Sequence, residues 1–191
     1  MNYITRGYLV VEAPIYINGI RYCGVDTNAW PIGLEFSSKL AAEIKEHAYG
    51  DLSFPLLIDS LSATQYHSAC KIHKMKSRML YCEVLHGDAN NEITDCNNFE
   101  RCTFLGYDYA YPSGDYYSAI ANDIIYRRGS LSERWRTHLN QYGLIPSAKE
   151  IHLFAQDRFE LLQKAECTES LEKGNFIIFR VFSVNDTDAA D

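Results

Sequence analysis

The chain has 191 residues, 47% of them hydrophobic and 13% aromatic, and its 18 basic against 25 acidic side chains give a net charge of −7. That length suits one globular domain, read as residues 1–184, able to bury about 70% of its unfolded surface without disulfide or metal, which excludes disorder as the main state. The acidic balance disfavours nucleic acid as the main partner, and no apolar run reaches the roughly 18 residues of a membrane-spanning helix.

The first element is a β-branched and aromatic run from Tyr8 to Ile17, followed by Asn18-Gly19 and a second run from Ile20 to Val25. Asn-Gly between two such runs predicts a hairpin, because both central residues of a type I′ turn need positive φ. Pro14 has no amide to donate, which implies a bulge or an edge position in the first strand. A helix is expected over 38–48, where Leu40, Ala41, Ile44 and Ala48 share a face and Gly50 follows. Asp59 or Ser60 is placed to cap a brief helix. Arg78–Leu85 reads as a strand, and after a polar turn at Gly87–Asn91 the run Cys102–Tyr107 reads as its return.

Two capping boxes mark the last third. Ser130-x-x-Glu133 opens a helix through Trp135 and Leu139 that should stop at Gly143, and Ser147-x-x-Glu150 opens a longer one. In the latter, Ile151, Phe154, Ala155, Phe159 and Leu162 share a face. The nearly continuous apolar run Phe176–Phe182 suits a central strand. Asn185–Asp191 is acidic and is expected to be a disordered tail. Together these elements predict an α+β fold, a mainly antiparallel sheet with about three helices packed on one face.

The most unusual stretch runs Gly106-Tyr107-Asp108-Tyr109-Ala110-Tyr111-Pro112-Ser113-Gly114-Asp115-Tyr116-Tyr117. Tyrosine offers large contact area at low entropic cost with a polar tip, which suits recognition surfaces. Asp108 and Asp115 would add an anionic edge for Lys or Arg of a partner. A purely structural reading is also open: Tyr107, Tyr109 and Tyr111 alternate onto one sheet face, and Ser113 or Asp115 caps a helix.

The stretch Phe104-Leu105-Gly106-Tyr107-Asp108, the later Tyr117-Ser118-Ala119-Ile120-Ala121-Asn122, then Trp135, Leu139-Asn140-Gln141-Tyr142-Gly143-Leu144 and a helix with Ala148, Phe154 and Asp157 carry a resemblance. Over roughly residues 102–184 the chain resembles the small bacterial immunity-type proteins that neutralise polymorphic or contact-dependent toxins. The resemblance implies a non-catalytic inhibitor that binds a toxin domain by occlusion. On this reading the partner-binding residues are Tyr107, Asp108, Tyr109, Tyr111, Asp115, Tyr116 and Tyr117, and the toxin domain is expected to be basic.

Other chemistry has thinner support. Cys70-x-x-His73 and Cys82-x-x-x-His86 hold zinc-ligand types without a C-x-x-C knuckle, so no metal and no cofactor are expected. The six cysteines, Cys23, Cys70, Cys82, Cys96, Cys102 and Cys167, read as reduced and mostly buried. Basic residues gather at Lys71, Lys74, Lys76 and Arg78, and again at Arg127, Arg128, Arg134 and Arg136, where a solvated face is the ordinary explanation. No catalytic motif is present, so an enzyme is the lesser reading: a small hydrolase or transferase using Asp108 and Asp115, His138 or His152, or a Cys/His pair in a cleft. Met1–Arg6 lacks the charged-then-apolar plan of a secretory signal, so a cytoplasmic location is expected.

Overall fold

A computed structural model describes residues 6–12, 14–25, 60–72, 76–85, 102–113, 115–164 and 171–184. Five strands, β1 (Arg6–Glu12), β4 (Ser77–Leu85), β5 (Cys102–Ser113), β6 (Asp115–Ser118) and β7 (Ile177–Val184), form one antiparallel sheet in the order β1-β4-β7-β5-β6. β2 (Ile15–Ile17) and β3 (Ile20–Tyr22) form a separate two-stranded ribbon. Helices α1 (Ser60–Ile72), α2 (Ser130–Trp135) and α3 (Ala148–Gln163), a π-helix (Ile120–Tyr126) and a 3₁₀ turn (Arg136–His138) complete the described elements. The chain is therefore α+β.

The hairpin forms where Asn18-Gly19 places it. Asn18 and Gly19 have φ of 49° and 79°, and Ile17 pairs with Ile20 across a two-residue loop. The long first run divides at Pro14, however. Residues before it pair with β4, from Arg6 opposite Glu83 to Glu12 opposite Ser77, and residues after it pair with β3.

β7 is central, as its continuous apolar run requires, with Ile178, Phe179, Val181 and Phe182 buried on alternating faces. It lies between β4 and β5, pairing Leu80 with Ser183 on one side and Phe104 with Phe182 on the other. Cys102–Tyr107 is thus not the immediate return of Arg78–Leu85; β7 stands between them. A bulge between Phe104 and Gly106 shifts the register of β5.

The sheet's two faces carry separate clusters. Leu9, Leu80, Cys82, Val181 and Phe179 join Tyr22 and the π-helix residues Ile120, Ile124 and Ile125 in the main core. Tyr8, Val10, Met79, Tyr81 and Phe182 join Ala63 and Cys70 of α1. No disulfide joins Cys23, Cys70, Cys82 and Cys102 to one another.

Ser147 caps α3 as its box predicts, its Oγ accepting from the Glu150 amide. The first box behaves differently. Gly129, extended at φ −178°, occupies the cap position, and Ser130 becomes the first helical residue without a side-chain cap. α2 ends at Trp135, followed by one 3₁₀ turn, Arg136–His138, instead of running on to Gly143. Ser113 and Asp115 pair as strand residues at the end of the β5–β6 hairpin, and the following helix begins after Ser118, whose Oγ accepts from the Ala121 amide. The elements expected at 38–48, 87–91 and 185–191 lie outside the described residues.

Candidate functional site

Strand alternation splits the aromatic segment between two environments. Asp108 falls on the main-core side, where it is completely buried. Its two oxygens accept from the Tyr22 hydroxyl at 2.5 Å, the Ser118 hydroxyl at 2.6 Å, the Val25 amide at 2.9 Å and the Tyr109 amide at 2.8 Å. Burial pushes its carboxyl above the usual carboxylate range, and the hydrogen bonds from Ser118, Tyr22, Val25 and Tyr109 oppose that push. A Cβ on Gly24 would collide with this carboxylate and with the Tyr22 ring, so the loop after β3 closes over the group at a glycine. The anionic edge expected from Asp108 is thus absent: the carboxylate ties β3 to β5 and β6 from inside.

The tyrosines on the other side of β5 are half-buried. Tyr107 packs edge-on against Phe104 and exchanges backbone hydrogen bonds with Ile145. Tyr109 lies 5.1 Å from Phe176 and edge-on to Phe154, and Tyr111 lies 5.7 Å from Phe176 with Gly174 flat against its ring. Tyr117 meets Phe176 edge-on at 6.0 Å and donates to Asp123. Three of the proposed contact rings therefore converge on one phenylalanine of the chain itself. Asp115 and Tyr116 lie on β6, and their side chains are outside the described residues.

Beneath this stack, Arg158 of α3 joins Asp123 of the π-helix at 2.7 Å, both buried, and covers the Phe176 ring at 4.0 Å. Burial pushes the Asp123 carboxyl up against the pull of Arg158. Arg158 also donates to the Glu172 carbonyl, so one guanidinium fastens α3, the π-helix and the approach to β7.

Large aromatic surface is exposed elsewhere, at Phe159 of α3, which turns outward instead of sharing the buried face of Ile151 and Phe154, and at the corner where the ribbon meets the π-helix. Tyr16 is 74% and Tyr126 is 69% exposed. Asn18, two residues beyond Tyr16, donates through Nδ2 to the Ile125 and Tyr126 carbonyls at 2.9 and 3.2 Å. Arg136 closes the joint, donating to the Ile125 and Asn18 carbonyls. Ile15, Ile17 and Ile20 pack against the main core, so period-2 alternation turns Tyr16 outward beside Arg21. That alternation is the signal that could have identified Tyr16 from sequence. For Tyr126 the local pattern carries none, because it follows buried Ile124 and Ile125 directly.

The remaining candidates separate. Cys70 and Cys82 are buried in different clusters on opposite faces of the sheet, which divides the thiols that a joint zinc site would need. Arg78, grouped with a basic run, is buried and donates to the Gly24 carbonyl. Arg127 pairs with Asp123, and Arg134 pairs with Asp157 at 2.6 Å. His138, a candidate base, sits at the surface against Glu150 and Trp135. The chain matches no family model, no curated protein and no solved structure with which it was compared.

Proposed function

We propose that this chain is a non-catalytic binding protein, an immunity-type inhibitor that occludes a toxin domain, and that its docking surface is the ribbon corner around Tyr16 and Tyr126. The supporting observation is the exposure of these two rings on backbone that Asn18 and Arg136 clamp from both sides. Exposed Tyr and Arg on rigid supports are the composition of interface hot spots, since little side-chain freedom is lost when such groups are covered. Tyr109, Tyr111 and Tyr117 brace Phe176, and Asp108 serves the core. The same burial counts against the hydrolase reading through Asp108, whose oxygens are held by four donors with no approach for a substrate.

A photocrosslinking amino acid placed at 16, at 126 and, as a control, at the exposed Gln163 of α3 tests this in the native cell. Capture of one protein from 16 and 126 but not from 163 is expected. That protein should arrest bacterial growth when expressed alone and be silenced by co-expression of this chain. No capture from either corner position, or capture of a harmless protein, overturns the inhibitor reading.

A further inference from the structure

Asn18, which bonds to the Tyr126 carbonyl, also lines a cleft of about 580 Å³ together with Arg128, Ser132, Glu133, Arg136 and Thr137. Four arginines stand between 127 and 136, and two of them have acidic partners, Arg134 pairing with Asp157 at the surface and Arg127 lying 3.7 Å from Asp123, which it shares with Arg158. The other two are the ones that line the cleft. Arg136 is half-buried and, among the described residues, donates to the carbonyls of Ile125 and Asn18, which fix its guanidinium in place without cancelling its charge. Arg128 is exposed and makes no ion pair among the described residues.

We propose that the docking partner seats a carboxylate, an Asp or Glu side chain of an acidic segment, between Arg128 and Arg136 in this cleft. The proposal rests on the corner being the docking surface, and it reverses the charge expected of the partner. That expectation treated Asp108 as an outward edge; with Asp108 in the core, the charges lining the cleft are two cations, Arg128 and Arg136, and one anion, Glu133. A guanidinium presents paired N–H donors that match a carboxylate, and one already held by two carbonyls loses little freedom on binding it. Nucleic acid is a poorer fit, because a polyanion needs many phosphates neutralised, and here two cations share the cleft with Glu133 on a chain of net charge −7. The charge of the rest of the molecule is screened beyond about 8 Å at physiological salt, so a single carboxylate in the cleft responds first to the two arginines.

The test is an amide chemical-shift titration of the full ¹⁵N-labelled chain with capped hexaglutamate, capped hexalysine and oligothymidylate in parallel. Hexaglutamate should shift Asn18, Gly129, Ser132 and Thr137 saturably, and hexalysine should leave them in place. Arg128→Glu should weaken hexaglutamate about tenfold while keeping the spectrum dispersed, and Glu133→Gln should tighten it several-fold, as expected for charge-assisted pairing. Unmoved corner amides, an Arg128→Glu variant that binds as before, or tighter binding of oligothymidylate overturns the proposal. Crosslinking that captures a partner while hexaglutamate fails removes only the carboxylate assignment. Failed crosslinking with hexaglutamate bound removes the docking reading, and this proposal with it.

Discussion

Asp108 connects three stretches of chain through one side chain: Tyr22 and Val25 from one side, Ser118 from another, and its own strand. Asp108→Ala leaves four buried donors without an acceptor, and a loss of about 3 kcal/mol is expected in urea unfolding. Tyr16→Ala, at an exposed ring, should stay within about 0.5 kcal/mol of the parent. The pH dependence has a definite sign. Because burial raises the carboxyl above 3.8, the folded chain holds its proton more tightly than the unfolded chain does. The resulting stability is fully present below that value and is lost as pH rises through the folded one. The stability gap between the parent and Asp108→Asn should therefore narrow as pH rises above about 4. Sequence alternation correctly separates Asp108 from Tyr107 and Tyr109. Tyr107 and Tyr109 meet the main core as well, and what singles out Asp108 is the hairpin that supplies Tyr22 and the loop that supplies Val25, both distant in sequence.

Among the elements, two copies of the same motif make the sharpest comparison. Ser147 caps α3 through its side chain, whereas the cap position of α2 falls on Gly129, so Ser147→Ala should cost about 1 kcal/mol, measured by thermal unfolding. Gly129 accounts for the difference, because an extended glycine can take the cap position one residue early. Arg158→Met would strand Asp123 in the core and should cost about 3–5 kcal/mol, part of which returns when Asp123→Asn is added. The elements that were legible have local signals: Asn-Gly for the hairpin, the Ser147 box for α3, the apolar run for β7. The π-helix was not: the only helix read near it would have started at Ser113 or Asp115, which belong to strands. Neither was the break at Pro14, where an apparent single strand serves two sheets.

For the whole molecule, the order β1-β4-β7-β5-β6 matters more than any single contact. β7 supplies the only pairing that either β4 or β5 makes with the other half of the sheet among the described strands. A chain ended before Ile177 should therefore show no cooperative urea transition, and hydrogen exchange should find the amides of β4 and β5 unprotected. This order was not legible, because strand signals are local and neighbour choice depends on covered faces and long loops. During synthesis the same arrangement leaves two half-sheets, each offering a bare hydrogen-bonding rim, until residues 177–184 clear the ribosome and slide between them. For that interval the nascent chain is most open to pairing with strangers, and a chaperone that shields those rims would act before the last strand emerges.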